Sequence, residues 1–255
     1  MAEIEKLGGL AQTEILVIPI IDVSGSMQGE KIAQVNEAMS SVPQQLADIN
    51  EDLLDTKLKI APMQFSNGAN WFALKNNEPA EVESFRWIDM KAAGLTDLGA
   101  ACKLLSEKLT VTEKGGWMKG RGGSSPVIIL ISDGAPTDNY QSALATLKMR
   151  GWFKAALKFA VAVGADADKN VLAEFVGNSE AVIETETIRT NLASIIRAVI
   201  VSASACASSN ASVGSLNGNN TVVTDTAGDA DETLTQQVID DIHTQLSLDN
   251  QDDLF

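Results

Sequence analysis

The chain has 255 residues, of which 45% are hydrophobic and 5% aromatic, and its formal net charge is −15 at pH 7. This length suits one domain of ordinary size with an appendage, and two cysteines are too few for a disulfide framework. The acidic excess argues against nonspecific binding to nucleic acid or an anionic membrane, because both favour Lys and Arg. Neither a secretory signal nor an apolar run of the roughly 18 residues that span a membrane is present, so we expect a soluble, cytoplasmic protein.

Short apolar runs alternate with amphipathic patterns through the first 200 residues. In chain order, we predict a strand at 15–21, a helix around 32–42, strands at 58–65 and 71–74, a helix at 98–109, a strand at 127–131, a helix at 141–150, a strand at 159–163, and helices at 170–176 and 192–201. The strands at 58–65 and 71–74 are expected nearer an edge. Pro62 supports an edge or bulge position in the first of them, because it donates no ladder hydrogen bond. This alternation predicts a doubly wound α/β fold, with a mostly parallel sheet flanked by helices.

The first predicted strand ends in an Asp-x-Ser-x-Ser pattern, formed by Asp22, Ser24 and Ser26. Parallel sheets of this class bind ligands at the carboxyl ends of their strands. Hydroxyl and carboxylate oxygens are hard ligands that suit Mg²⁺. Taken alone, the pattern is equally compatible with Ser24 or Ser26 capping the helix that follows.

Two further loops place oxygen side chains where a ligand site of such a sheet is expected. Thr96 precedes a predicted helix, and Asp133 follows the most apolar predicted strand. Asp97 and Asp138 are additional acids in these loops, and for them we favour capping of helix N-termini. The three loops together therefore predict a metal site.

The three loops resemble the von Willebrand factor A (VWA) domain family and its metal-ion-dependent adhesion site. The family pattern is Asp-x-Ser-x-Ser, then a Thr in the second loop and an Asp in the third, which this chain matches with Asp22, Ser24, Ser26, Thr96 and Asp133. The resemblance implies that the serines and the threonine ligate the metal, the threonine directly or through water, while the aspartates act mostly through water. It also implies that the metal, Mg²⁺ with Mn²⁺ or Ca²⁺ as alternatives, accepts a carboxylate from a partner protein.

Longer segments look like the stand-alone TerY-type A domains of bacterial tellurite-resistance (Ter) systems. The likeness covers roughly residues 10–205 and is carried by segments 22–36, 132–138, 162–168 and 199–204. It implies a cytoplasmic interaction module in stress or phage-defence systems, with a phosphatase, a kinase or other Ter proteins as partners. The alternative is a VWA subunit that works with an AAA-type ATPase in a chelatase-like or remodelling complex. Leu95 departs from the family, in which Gly is common before the Thr.

The residues argue against several enzyme classes. A haloacid-dehalogenase-like phosphatase needs a second Asp two residues after its nucleophile, and Ser24 stands there instead. A serine hydrolase needs a base, and the only histidine, His243, lies in the acidic tail. No Gly-x-x-x-x-Gly-Lys-Ser/Thr phosphate loop occurs. We therefore expect a protein without enzymatic activity.

The C-terminal region differs in composition from the rest of the chain. We divide the sequence into a VWA domain at 1–205, a flexible linker at 206–232 and an acidic tail at 233–255. Residues 198–255 hold nine carboxylates and no Lys or Arg. Apolar residues four apart predict an amphipathic helix at 233–247, with Leu234, Val238, Ile242 and Leu246 as candidate partner-binding positions. Three uses remain open: a disordered tail, a ligand for the metal in cis or on another copy, or a helix for a partner's groove.

Overall fold

The computed structural model describes residues 13–52, 56–119 and 124–184, together with Gln236, Ile239, Asp240 and Thr244. The strands in these ranges are β1 (Thr13–Asp22), β2 (Thr56–Ile60), β3 (Met63–Ser66), β4 (Gly68–Trp71), β5 (Ala80–Glu81), β6 (Val127–Ser132), β7 (Leu157–Ala162) and β8 (Val182–Glu184). The α-helices are α1 (Glu30–Asp52), α2 (Leu98–Lys108), α3 (Tyr140–Lys148), α4 (Gly151–Ala155) and α5 (Lys169–Val176).

One sheet contains all the described strands, in the order β4-β3-β1-β6-β7-β8; β2 also pairs with β1, and β5 pairs with β2. The pairs that β1 makes with β2, β3 and β6 are parallel, as are β6–β7 and β7–β8, whereas β4 and β5 pair antiparallel. The predicted doubly wound, mostly parallel α/β fold is therefore confirmed. From β1 the chain continues to β3 on one side, and from β6 it continues to β7 on the other, so the strand order reverses between β1 and β6. The crevice outside the carboxyl ends of these two strands is therefore the expected ligand site.

The apolar sequence of the central strands explains their position. Every residue of β6 is buried, and β1 is buried from Ile15 to its last residue. Strands covered on both faces need such continuous apolar runs. Helix α1 buries one face against the sheet through residues at helical spacing, Val35, Met39, Val42 and Leu46.

Two strand predictions were wrong in detail. The predicted strand at 58–65 is divided at Ala61 and Pro62 into β2 and β3, and both halves lie beside β1 instead of at an edge. Proline supplies no ladder donor, which explains the break. The predicted strand at 71–74 is shifted, because β4 ends at Trp71. The predicted helix at 192–201 lies outside the described residues, and the sequence did not reveal α4 or β8.

Part of the C-terminal region is described, and its residues are helical. Gln236 donates a side-chain hydrogen bond to Asp240 over 3.2 Å, and the Thr244 hydroxyl donates to the Asp240 carbonyl over 2.8 Å. Ile239 is only 3% exposed and belongs to the same cluster of buried apolar residues as the sheet. The proposed linker and the candidate positions Leu234, Val238, Ile242 and Leu246 lie outside the described residues. No helix in the described ranges is long and apolar enough to cross a membrane.

Candidate metal centre

Three loops meet at the carboxyl ends of β1 and β6: the first at residues 23–29, the second at 91–97 and the third at 133–139. Backbone hydrogen bonds fasten the first loop to the second, from Gly25 N to Gly94 O over 2.9 Å and from Ala93 N to Val23 O over 2.7 Å. A Cβ at position 25 would lie 3.2 Å from the Gly94 carbonyl oxygen, so glycine permits this close approach. The polar side chains of the three loops are therefore held at one place.

Asp22 anchors the first loop. Its Oδ1 accepts a hydrogen bond from Ser24 N over 2.8 Å, and its Oδ2 accepts one from the Ser132 hydroxyl over 2.6 Å. The hydroxyls of Ser24 and Ser26 lie 2.9 Å apart. Ser24 makes no side-chain capping bond to the short 3-10 turn that follows it, and α1 begins only at Glu30. The geometry therefore favours ligation over capping as the role of these serines.

The second and third loops bring Thr96 and Asp133 to the same edge. Thr96 N donates to Thr137 Oγ1 over 2.9 Å, and Thr137 N donates to Thr96 O over 2.9 Å, so the two loops support each other. Asp133 is 3% exposed, and its Oδ2 lies 3.3 Å from the Lys31 ammonium. Its Oδ1 is buried without a hydrogen-bond partner among the described residues. An orphaned buried carboxylate oxygen of this kind calls for an explanation, such as an ion.

The centre gathers most of the buried polar side chains in the described part of the chain. Among the described residues six polar ones are buried, and five of them lie at the centre: Asp22, Ser24, Thr96, Ser132 and Asp133. The sixth, Ser106, lies in α2. Burial raises the pKa of Asp22, although hydrogen bonds from Ser132 and Ser24 oppose that shift and the charge of Asp133 adds to it. Two buried carboxylates whose charges repel each other favour a cation.

The donor set fits a hard divalent ion. Within the described ranges, no group of three or more His, Cys, Asp or Glu residues could hold a metal, so hydroxyl oxygens must contribute to any site here. Two carboxylates with hydroxyls and water are ligands that suit Mg²⁺. Ser26 is exposed, so the centre is open to a ligand from outside.

The fold thus brings together the loops that carry all five residues predicted as metal ligands. The neighbouring acids have other roles: Asp97 accepts from Gly68 N over 2.7 Å, and Asp138 accepts from Gly99 N over 2.8 Å. Because Gly99 lies in the first turn of α2, Asp138 caps that helix from the third loop. Asp138 therefore caps a helix N-terminus, as expected, but the helix is α2, which lies far from it in the sequence.

Two contributors were not identified from the sequence, Ser132 and Lys31. Ser132 is the last residue of β6, and its hydroxyl links Asp22 to Gly134 N, which donates to it over 2.8 Å. Its position directly before Asp133 was the one available signal. Lys31 reaches Asp133 only through the fold, and no spacing rule predicts that contact.

The family comparison matches residues 17–198 to a model described as von Willebrand factor type A domain. Among solved structures, the chain is similar to the ArnB paralog VWA2 from Sulfolobus acidocaldarius, with 19% identity and a TM-score of 0.50, covering 76% of this chain and 46% of that one. It is also similar to proximal thread matrix protein 1 from the mussel byssus, with a zinc-occupied MIDAS motif (16% identity, TM-score 0.50, 74% of this chain and 46% of that one). The chain thus spans less than half the length of these two structures. No curated protein matches it in sequence.

Proposed function

Because the chain belongs to the von Willebrand factor type A domain family, we propose that it is a metal-dependent protein interaction module and not an enzyme. In this proposal a divalent ion, held by the residues matched to the family's metal site, binds a carboxylate of a partner protein. Those residues are Asp22, Ser24, Ser26, Thr96 and Asp133.

The observation that carries the proposal is the buried Oδ1 of Asp133, which lacks a hydrogen-bond partner among the described residues. It belongs to the same cluster of loops as the paired hydroxyls of Ser24 and Ser26. A divalent ion bound there would supply an electrostatic anchor for an external anion. The chain's own part is to hold the donors in place, and the two hydrogen bonds to Asp22 do so for the first loop.

The chemistry of the donors favours Mg²⁺, with Mn²⁺ or Ca²⁺ as alternatives. Oxygen ligands with retained water are typical of Mg²⁺ sites. The zinc-occupied motif of the mussel protein supports a divalent ion in general. Titration of the full chain with each metal tests this assignment.

The surroundings of the centre suit a protein ligand. Leu95 directly precedes Thr96 and is 57% exposed. An acid that reaches the ion from outside would therefore lie beside an apolar side chain. A partner with an Asp or Glu next to apolar residues fits both features.

We extend the proposal to the cellular setting. Its only support is the resemblance of four sequence segments, 22–36, 132–138, 162–168 and 199–204, to TerY-type A domains. The setting is the bacterial cytoplasm, in a tellurite-resistance, stress or phage-defence system, and the partners are a phosphatase, a kinase or other Ter-type proteins. An AAA-type ATPase as the captured partner would favour a chelatase-like or remodelling complex instead.

Capture of partners from a lysate of the native host tests the proposal. The immobilised full chain is expected to retain a partner with Mg²⁺ and to release it with EDTA, whereas Asp22→Ala retains none. Glu14→Ala is the matched control, because it removes an acid from the opposite end of the same strand and should leave capture unchanged. Capture by a folded Asp22→Ala chain of reduced thermal stability would contradict the proposal and assign the centre a structural role.

A further inference from the structure

One cation lies inside the candidate metal centre. Lys31, the second residue of α1, has its ammonium 3.3 Å from Asp133 Oδ2 and 2.8 Å from Asp166 Oδ1. Lys31 is 20% exposed, Asp133 3% and Asp166 74%. The lysine therefore extends from the end of the first loop across the carboxyl edge of the sheet to loops that follow β6 and β7.

The backbone around Lys31 leaves room for its side chain. Gly164 follows β7 with a φ of +91°, and a Cβ at this position would lie 2.7 Å from Lys31 Cε and 2.8 Å from Asp166 Oδ1. A side chain at 164 would therefore displace the lysine stem or its partner. Gly164 therefore does two things: it adopts the left-handed conformation, and its missing side chain leaves space for the lysine stem.

The position of the ammonium has two consequences for charge. Asp133 Oδ2 is occupied by Lys31, which leaves the buried Oδ1 as the oxygen available to an ion. Asp22, Asp133 and Lys31 together carry one negative charge. Asp166 adds a second, but its side chain is 74% exposed, so solvent screens it. A divalent ion would give the centre one net positive charge, which favours an anionic ligand from outside.

We propose that Lys31 is a positioning residue that acts as a built-in counter-ion of the metal centre. It fixes Asp133 with Oδ1 toward the ion, and it weakens the affinity for the ion while preserving net positive charge for the partner's carboxylate. This inference rests on the proposed function, because it requires the centre to bind a divalent ion.

Titration of the full chain with Mn²⁺ alone, followed by calorimetry, tests the role of Lys31. In Lys31→Met the repulsion between ammonium and metal is absent, so the Kd for Mn²⁺ is expected to fall by roughly tenfold. Lys31→Gln should shift the Kd in the same direction, and Lys31→Arg should restore a value near that of the wild type. Lys57→Met is the matched control, because it removes a partly exposed, ion-paired lysine at the amino end of β2, far from the centre, and should leave the Kd unchanged.

Thermal melting separates this role from a merely structural one. Without metal, Lys31→Met should have a lower Tm than the wild type, because the buried carboxylate of Asp133 loses its counter-charge. With saturating Mn²⁺ the difference should shrink, because tighter binding stabilises the variant more. A lysine that served only for packing would lower both Tm values equally.

The outcomes distinguish the two proposals. Unchanged or weaker Mn²⁺ binding by both Lys31→Met and Lys31→Gln overturns the role of Lys31 and leaves the proposed function intact. A wild-type chain that binds neither Mn²⁺ nor Mg²⁺ overturns the proposed function and, with it, the counter-ion. Tighter binding in both variants, with rescue by Lys31→Arg, supports the inference.

Discussion

Two clusters of charged residues lie on the same sheet and differ in burial and balance. At the carboxyl end, Asp22 and Asp133 are buried; Asp133 pairs with Lys31, whereas Asp22 accepts hydrogen bonds from Ser24 N and the Ser132 hydroxyl. Toward the amino ends of β1 and β2, an amino-end cluster of partly exposed residues joins three lysines to two glutamates. Its ion pairs are Lys57–Glu81, Lys59–Glu14, Lys59–Glu81 and Lys119–Glu14.

The comparison shows that residue type alone does not make a binding site. Glu14 and Glu81 in the amino-end cluster have side chains that are 32% and 38% exposed, and both pair with lysines. They therefore have little need of an external ion. Acids at the carboxyl end are removed from water and outnumber their cation, so a bound ion would relieve an electrostatic cost. Burial with incomplete charge compensation therefore separates the candidate centre from an ordinary polar surface.

The largest expected effect concerns Cys102, a buried ionisable group on the apolar face of α2. Burial raises its pKa to about 12, with the charge of Asp138 as a further cause. Because the thiolate is the reactive form, its fraction at pH 8 should be roughly a thousandfold smaller than in an unfolded chain. Replacing the chain's other cysteine in Cys206→Ser leaves Cys102 as the one thiol. We expect this folded variant to resist a thiol reagent at pH 8 and to react promptly in urea. Rapid labelling without denaturant would show that burial does not suppress the reactivity of the Cys102 thiol.

A smaller effect is expected from Asp22→Asn, which removes the charge of Asp22 but retains the size of the side chain. Its affinity for Mn²⁺ should fall by roughly 10- to 100-fold, because the variant loses a buried negative charge that would stabilise the ion. Glu14→Gln makes the same change at the other end of β1 and should bind Mn²⁺ like the wild type. The measurement is the increase in Tm on adding metal. Equal increases in the two variants would contradict the distinction between the two ends of the sheet.

Ser132→Ala should destabilise the protein by about 2 kcal/mol, because two buried groups lose their partner. Those groups are Asp22 Oδ2 and Gly134 N. The control is Ser106→Ala, which removes the hydroxyl that accepts from Arg150 Nε over 2.8 Å and leaves a partner able to reach water. Urea unfolding gives both free energies. A larger loss for Ser106→Ala would show that the hydroxyl of Ser132 does not support the centre.

The smallest effect is expected in the amino-end cluster. Lys59→Met should change the free energy of unfolding by less than about 1 kcal/mol, since its ion pairs with Glu14 and Glu81 are partly exposed. In 1 M NaCl the difference from the wild type should disappear, because salt screens such pairs. A large, salt-independent loss would mean that the two clusters are energetically alike.

The sequence was sufficient to predict features that depend on local patterns. Continuous apolar runs predicted β1, β6 and β7, and the polar residues at the ends of β1 and β6 predicted the loops of the centre. Long-range contacts could not be predicted from the sequence; Lys31 and Asp133, for example, are 102 residues apart in the chain. Pro62 predicted an edge or bulge position because proline donates no ladder hydrogen bond. The strand that lies outside β2 is β5, which is only two residues long and gave no pattern of its own. Ile239, which the structure buries, is not among the candidate partner-binding positions that the apolar pattern of the tail predicted.

The pairing of β1 with β6 also has a consequence for how the protein folds. Val17 lies beside Val127 in the register of these strands, so the centre of the sheet joins segments separated by more than 100 residues. Pairings of such long sequence separation form slowly, because a large loop must close first. During synthesis, the site around Asp22 can form only after the chain has been made as far as Asp133. The first appearance of metal binding in a refolding experiment should therefore coincide with closure of the central sheet and mark the late step of folding.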